Sequence, residues 1–220
     1  MNSFLIATLI ITAILSSGVL YYYRNELKIG FITAILLATA HTAVGVVCVK
    51  LFAGLESHQS PLNAGMSLFG AVFFLPFFYW VGSKISHRDC SIVFDDFCLC
   101  VIIAMLCVRF NCIASGCCMG RIIPGTNLLW PTRQVEIAFW AVLLTWFLYR
   151  KKGGYIKGTL YPQMMMIYGV FRFLIEFLRN EPAIVGSFHY GHIWSAVSFV
   201  AGSTAYFIIL EHRLHKKSFR

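Results

Sequence analysis

The sequence predicts an all-helical integral membrane protein that crosses the bilayer seven times. Apolar residues make up 59% of the 220-residue chain and charged residues 12%, about half the charged share of a soluble domain. The second observation is a series of seven apolar runs, and the third is that cationic loops alternate between two sides. Together they predict a single transmembrane domain, residues 1–220, whose surface faces mostly lipid.

The predicted spans are apolar runs of about the length that crosses a hydrocarbon core. The fifth run, at residues 135–148, is the shortest. In chain order the seven predicted spans cover residues 4–22, 30–52, 62–82, 92–114, 135–148, 159–178 and 192–210.

The lysines and arginines indicate the orientation of these spans. Twelve of the 18 fall on one side of the predicted membrane and four on the other, while Arg109 and Arg172 lie inside spans. Because cationic loops are retained in the cytoplasm, the amino terminus is predicted outside and the carboxyl terminus inside. The formal charge of +9 therefore indicates membrane topology and not a nucleic-acid partner.

The charges inside the predicted spans indicate a functional site. A charge there costs at least ~2.5–3.5 kcal/mol and usually faces a wet cavity. Arg172 and Glu176 are four residues apart, so they share a helical face and can pair, either as a structural pair or as part of a site. One glutamate cannot neutralise both Arg109 and Arg172. The remaining positive charge predicts a pocket for an anionic, phosphate-bearing lipid, since phosphate matches the guanidinium geometry.

Three cysteines lie close to Arg109 in the sequence, at Cys112, Cys117 and Cys118. Their spacing does not match a four-ligand zinc site, so no metal is predicted. A neighbouring cation makes a thiol more nucleophilic, so these cysteines are candidates for covalent or redox chemistry, or else structural residues of a loop. His41, within the second predicted span, is a candidate base or a histidine bonded to a helix neighbour.

Four segments of the chain carry distinctive motifs, at residues 65–71, 109–121, 130–136 and 168–179, the last reading Tyr-Gly-Val-Phe-Arg-Phe-Leu-Ile-Glu-Phe-Leu-Arg. In this order they resemble the prolipoprotein diacylglyceryl transferases, seven-span bacterial membrane enzymes with an external amino terminus. Residues 168–179 match the family pattern Tyr-Gly-x-x-Arg-Phe-x-x-Glu-Phe-x-Arg at every defined position. Residues 109–121 resemble its signature at Arg109, Gly116, Gly120 and Arg121. Residues 65–71 resemble its Gly-Met-Ser-Phe-His-Gly-Gly segment, and residues 130–136 its His-Pro-Ser-Gln-x-Tyr-Glu segment, through Pro131 and Glu136.

The resemblance implies an enzyme of the bacterial cytoplasmic membrane that moves the diacylglyceryl group of phosphatidylglycerol to the cysteine thiol of a lipoprotein precursor. It implies no cofactor. Arg109 and Arg172 would stabilise the leaving phosphate, with Glu176 orienting Arg172. The glycines at 116 and 120 would let backbone approach the lipid head group. The remaining family positions expected to bind substrate are Arg121, Glu136, Tyr168 and Arg179.

Several positions depart from the family pattern. Phe69 and Trp130 stand where the family has histidines, and Cys112, Ser115 and Cys117 replace two asparagines and a glutamate. The acceptor thiol must lose a proton, and these departures remove the bases expected there. Two alternative functions are therefore considered in addition to the transferase. One is a membrane thiol-redox protein using the three cysteines, and the other is a non-catalytic lipid-binding descendant of the fold.

Overall fold

The chain is helical in the computed structural model, which describes residues 3–180, 186 and 188–218, with side chains through Leu214. The described residues contain isolated β-bridges but no β-strand. The helices in chain order are α1 (Ser3–Tyr22), α2 (Arg24–Leu27), α3 (Phe31–Ser57), α4 (Phe69–Ile85), α5 (Cys90–Ala114), α6 (Thr132–Gly153), α7 (Leu160–Glu176) and α8 (Tyr190–Ser218).

Four of the helices are long and apolar enough to cross a membrane. They are α1, α3, α5 and the Tyr190–Leu214 part of α8, and each coincides with a predicted span. Helix α4 is apolar but shorter, at 17 residues. Helices α6 and α7 occupy the other two predicted spans. An all-helical membrane architecture is thus confirmed, while seven crossings and the orientation stay predictions.

The third predicted span, which begins at residue 62, starts earlier than the helix in the structure. Residues 62–68 are not helical, and α4 begins at Phe69. Pro61 packs against Gly54 at the end of α3, and the carbonyl of Ser60 accepts backbone bonds from Asn63 and Ala64. The ammonium of Lys50 donates to the Ala64 carbonyl at 2.6 Å. These contacts give the segment a turn conformation despite its apolar residues.

The helices form two compact units that divide between Cys107 and Val108. In the first unit, α3 packs against both α1 and α4. Gly70 of α4 lies directly on the α3 backbone, where any side chain would overlap the Cys48 carbonyl. Small residues allow such close approach between membrane helices.

The second unit holds the end of α5, a loop and helices α6 to α8. Helices α7 and α8 are antiparallel, because Gly169 lies on the Ser195 carbonyl while Gly202 lies on the Pro162 carbonyl. Ser198 donates to the Met165 carbonyl at 3.0 Å. Helices α6 and α7 are antiparallel as well. Glu136 of α6 pairs with Arg172 of α7, and Trp140, one turn later on α6, contacts Tyr168, one turn earlier on α7.

A buried arginine–carboxylate cluster as the candidate active site

Three arginines and two glutamates meet in the interior of the second unit. Arg109 comes from α5, Glu136 from α6, Arg172 and Glu176 from α7, and Arg179 from the turn after α7. None of the five is more than 8% exposed. Their formal charges sum to +1 when both glutamates are ionised. We refer to these five residues as the arginine cluster.

Glu136 is the centre of the arginine cluster. Its Oε2 pairs with Nε of Arg109, and its Oε1 accepts from Nη1 of Arg172 at 3.1 Å. The same Oε1 accepts from Nη1 of Arg179 at 3.2 Å. One carboxylate thus binds guanidinium groups from three separate segments of the chain, which fixes their positions relative to one another.

Glu176 is the second carboxylate of the arginine cluster. Its Oε2 lies 2.8 Å from Nη2 of Arg172 and 3.7 Å from Nε of Arg179. Arg172 therefore bridges Glu136 and Glu176 with its two terminal nitrogens. The pairing of Arg172 with Glu176 follows from their i,i+4 spacing on α7.

Helix periodicity explains why Glu136 and Arg172 face each other. The buried residues of α6 recur every three or four positions, so Glu136 lies one turn before Trp140 on the same face. On α7, Tyr168 lies one turn before Arg172. The Trp140 and Tyr168 rings are 4.9 Å apart, directly beneath the ion pair. Both aromatic side chains are buried beside the arginine cluster.

The loop after α5 is tied to the end of α7. Gly120 forms an antiparallel bridge with Arg179, and the Arg121 amide donates to the Leu178 carbonyl at 2.8 Å. The Asn180 amide donates to the Met119 carbonyl at 3.2 Å. Gly120 is required here because a side chain would overlap the carbonyl of Trp130. The loop and the arginine cluster therefore form one local structure.

The three cysteines of this loop and of the α5 terminus lie together. Sγ of Cys112 is 3.9 Å from Sγ of Cys118 and 4.0 Å from Nη1 of Arg109. The Cys117 thiol donates to the Cys112 carbonyl at 3.8 Å. All three sulfur atoms lie within 4.8 Å of one another. We refer to these residues as the thiol cluster.

The two loop thiols have different electrostatic surroundings. A hydrogen bond from the Cys112 thiol lowers the pKa of Cys118, and the nearby guanidiniums of Arg179 and Arg109 lower it further. Burial raises the pKa of Cys117. Cys118 is therefore the better nucleophile of the two, because the thiolate is the reactive form.

Two histidines at the start of α8 adjoin the arginine cluster. Nδ1 of His189 lies 3.7 Å from Oε1 of Glu176, and both side chains are buried. The His189 amide donates to Nδ1 of His192 at 3.0 Å. Gly191 packs on Glu176 so closely that an added Cβ would lie 2.5 Å from its Cδ. The start of α8 thus forms a wall of the site.

With this geometry established, comparison with known proteins identifies the family. A model of the prolipoprotein diacylglyceryl transferase family matches residues 3–208. The chain belongs to this family. The resemblance predicted from four segments is therefore confirmed, and the chain is a transferase of this family. Its several apolar helices of membrane-spanning length agree with a multi-pass membrane protein.

Individual relatives within the family are distant. The phosphatidylglycerol–prolipoprotein diacylglyceryl transferases of Dehalococcoides mccartyi strains BAV1 and CBDB1 are each 24% identical over 196 residues, which cover 78% of this chain and 75% of theirs. The transferase 2 of Clostridium perfringens strain 13 is 32% identical over 88 residues, 34% of each chain.

The structure brings most of the family positions into one place. Arg109, Arg172, Glu176, Glu136 and Arg179 form the arginine cluster. Tyr168 lies one turn from Arg172, and Gly116, with φ of +67°, and Gly120 shape the loop. Arg121 is exposed and contributes its backbone, not a buried charge.

The candidate base His41 belongs to the first unit. Its ring is 5% exposed, and its Nδ1 lies 3.0 Å from the hydroxyl of Tyr79. Its ring also contacts Phe97 of α5. It lines a cavity of about 450 Å³ in that unit. Tyr79, on the neighbouring helix α4, is the kind of hydrogen-bond partner that the structural interpretation of His41 expects.

Sequence reasoning missed two features of the site. It assigned Glu136 to substrate binding from the resemblance alone, and did not anticipate that Glu136 pairs with all three arginines. It also treated His189, at the outer end of the seventh predicted span, as an interfacial residue and not as a catalyst. The four-residue spacing of Glu136 and Trp140, two residues on one helical face, was the signal that could have indicated burial of Glu136.

Proposed function

We propose that this protein transfers the diacylglyceryl group of phosphatidylglycerol, or of a related anionic glycerophospholipid, to the cysteine thiol of a lipoprotein precursor. Glycerol phosphate is the second product. The observation that supports this most directly is a buried group of three arginines around Glu136 and Glu176, five described residues whose formal charges sum to +1. The names of the Dehalococcoides mccartyi relatives, phosphatidylglycerol–prolipoprotein diacylglyceryl transferases, agree with this donor and acceptor.

The excess charge suits a phosphate that leaves during the reaction. The acceptor sulfur forms a bond to the terminal glyceryl carbon while the bond from that carbon to the phosphate oxygen breaks. The electron pair of the broken bond moves to the phosphate. Arg109 and Arg172 stabilise this growing charge in a low-dielectric pocket, where such donors are most effective. In this proposal Arg109 and Arg172 act as catalytic residues.

The carboxylates act as positioning residues in this proposal. Glu176 orients Arg172, and Glu136 holds Arg109, Arg172 and Arg179 in one arrangement before the lipid binds. Guanidiniums held in advance need no reorganisation when charge develops. Arg179 and Tyr168 complete the phosphate pocket. Gly116 and Gly120 allow the loop backbone to approach the head group, and Arg121 attracts it from the exposed side of the loop.

The acceptor thiol must lose its proton to become nucleophilic. His41 is one candidate base, and His189, beside Glu176, is a second. Nδ1 of His189 lies 3.7 Å from Oε1 of Glu176, so the ring is held at the edge of the arginine cluster. We place His189 ahead of His41 because it adjoins the arginine cluster directly.

The proposal includes the setting of the enzyme in a membrane. The chain acts as one transmembrane domain of the bacterial cytoplasmic membrane, with seven spans, an external amino terminus and a cytoplasmic carboxyl terminus. The alternating cationic loops support this orientation. The arginine cluster then lies toward the outer face, where lipoprotein precursors emerge.

A mass-shift assay tests the proposal. The protein in phosphatidylglycerol vesicles is mixed with a lipobox peptide, and the expected result is a diacylglyceryl-sized mass gain on the peptide cysteine. Arg109→Ala and Arg172→Ala are expected to abolish the gain. Arg150→Ala is the matched control, since Arg150 stacks on Trp146 at the far end of α6. A wild-type protein that binds the lipid without modifying the peptide contradicts the proposal.

The thiol cluster supports a second candidate, a membrane thiol-redox protein. Cys112 and Cys118 are close enough to exchange a disulfide with a partner thiol. In that case Cys118→Ser removes a thiol-oxidase or reductase activity on a model dithiol, while Arg172→Ala spares it. The two activities therefore respond to opposite variants.

A further inference from the structure

The thiol cluster has the dimensions of a metal-binding site. Three sulfur atoms that bind one ion in a plane at about 2.3 Å lie about 4 Å apart. Sγ of Cys112 and Sγ of Cys118 are 3.9 Å apart, and no pair of the three exceeds 4.8 Å. Contraction by less than 1 Å at one sulfur therefore completes a three-coordinate site.

The backbone holds these sulfur atoms from several directions. Cys118 has φ of +57°, an uncommon conformation for a residue with a side chain. Its carbonyl accepts from the Thr132 hydroxyl at 3.3 Å. Arg133 donates to the Cys112 carbonyl at 3.3 Å. Residues of α6 thus fix both thiol-bearing segments, which is typical of a site formed before its ligand binds.

Neighbouring cations compensate the charge that such a site would carry. Three thiolates and a monovalent ion have a net charge of −2. Nη1 of Arg109 lies 4.0 Å from Sγ of Cys112, and the arginine cluster next to it carries an excess of +1. In a low-dielectric surrounding, opposite charges at this distance attract strongly.

The ligand set indicates which metal fits. Thiolate ligands are soft and select monovalent copper or zinc, and structural zinc sites take four ligands. Among the residues that the structure describes, the group contains three cysteines and no fourth histidine, cysteine or carboxylate. Met119, next to Cys118, adds another soft sulfur to the loop. A three-sulfur environment favours monovalent copper over zinc.

We propose that Cys112, Cys117 and Cys118 bind one monovalent copper ion through their three sulfur atoms. Binding displaces the thiol protons to solvent and changes no oxidation state. The ion joins the α5 terminus to the loop that carries Gly120, and therefore stiffens the edge of the arginine cluster. The copper proposal does not rest on the proposed transferase activity, because none of the three cysteines is among the residues proposed to bind the lipid phosphate.

The first test is a titration of the purified full chain in micelles, without oxygen, with monovalent copper against a coloured copper chelator. One copper per chain is expected. Cys112→Ser, Cys117→Ser and Cys118→Ser are each expected to weaken retention more than about tenfold, because even loss of a residue that only supports a ligand costs about that much. Cys90→Ser is the matched control, a half-buried thiol at the start of α5. Equal retention by the Cys118→Ser and Cys90→Ser proteins overturns the proposal.

The second test needs no variant and so does not depend on a variant's folding. X-ray absorption of the copper-loaded wild-type protein is expected to show three sulfur neighbours at about 2.3 Å. Two sulfur neighbours, or nitrogen and oxygen neighbours, overturn the site. Displacement of the copper by equimolar zinc overturns the choice of metal. Alkylation of thiols in intact membranes that reveals a complete Cys112–Cys118 disulfide overturns the proposal too, since oxidised sulfurs cannot bind the ion.

Discussion

Arg109 and Glu136 form a buried ion pair that joins the end of α5 to the start of α6. The pair matters because Glu136 also binds Arg172 and Arg179, so one carboxylate contacts all three arginines of the arginine cluster. Removing one partner of a buried pair leaves an uncompensated charge, which is more damaging than the loss of the contact itself.

The first prediction concerns the charge of Glu136. Glu136→Gln keeps the size of the side chain but leaves Glu176 as the one carboxylate among the five residues of the arginine cluster. We expect a loss of about 3–5 kcal/mol in the free energy of unfolding, the usual effect of breaking a buried pair. We also expect the transfer activity to fall below detection. Thermal unfolding in micelles and the peptide mass-shift assay measure the two effects.

The control for this change is Glu211→Gln, at an exposed position of α8. It removes the same charge where solvent screens it, so stability should change by less than about 1 kcal/mol. If Glu136→Gln is as stable and active as this control, Glu136 does not organise the arginine cluster.

The second prediction concerns the geometry of Arg172. Its Nη1 and Nη2 reach Glu136 at 3.1 Å and Glu176 at 2.8 Å, and a lysine has one nitrogen with which to replace them. Arg172→Lys keeps the charge but loses one charged hydrogen bond of about 1.5–3 kcal/mol. We expect kcat/KM to fall about 10–100-fold. The conservative change Arg150→Lys, outside the arginine cluster, should have little effect.

The sequence predicted the helices and part of the site for clear physical reasons. Apolar runs of spanning length identified α1, α3, α5 and α8, because such runs have few other stable structures. The i,i+4 spacing of Arg172 and Glu176 predicted a pair that the structure contains. Local spacing is informative when both partners lie on one helix.

Contacts between segments far apart in the chain could not be predicted in this way. The pairing of Glu136 with Arg109 depends on how α5 and α6 pack, which no local pattern encodes. The approach of His189 to Glu176 likewise depends on how the start of α8 packs against the end of α7. The turn at residues 62–68 was missed because its hydrogen bonds to α3 are long-range in the chain.

The third prediction concerns the close contact of Gly191 with Glu176. In Gly191→Ala the added carbon would lie 2.5 Å from Cδ of Glu176, so the carboxylate must shift from the position in which it pairs with Arg172. A displacement of about 1 Å in a catalytic arrangement can cost ~100-fold in rate. We therefore expect a large fall in kcat. Gly45→Ala is the control, since a Cβ there meets nothing within 4 Å and alanine favours a helix.

The fourth prediction identifies the base. If His189 accepts the thiol proton, His189→Gln lowers the transfer rate about 10²–10⁴-fold, the usual contribution of general base catalysis. Added imidazole should restore part of the activity, since it replaces the missing ring. The corresponding change His41→Gln should retain activity. Loss of activity in His41→Gln with rescue by imidazole, and full activity in His189→Gln, would assign the base to His41 instead.

The fifth prediction concerns the pH dependence of the loop thiols. The pKa of Cys118 is lowered by the hydrogen bond from Cys112 and by Arg179 and Arg109, whereas burial raises the pKa of Cys117. A lowered pKa means that the thiolate persists as the pH falls below the usual thiol range, and is lost when the pH reaches the lowered value. Iodoacetamide reacts with the thiolate. In metal-free, reduced protein, Cys118 should therefore remain reactive at about pH 6, where Cys117 is nearly inert.

Mass spectrometry of peptides after a short alkylation measures the labelling of Cys117 and Cys118 in one sample. Comparing their labelling ratio at several pH values separates the effect of pH from the different solvent accessibility of the two thiols. The ratio of Cys118 to Cys117 labelling should rise as the pH falls from about 8.5 to about 6. Arg179→Ala should reduce that rise, because it removes one of the cations that stabilise the Cys118 thiolate. A labelling ratio that stays constant with pH would show that the cations of the arginine cluster do not act on the thiol cluster.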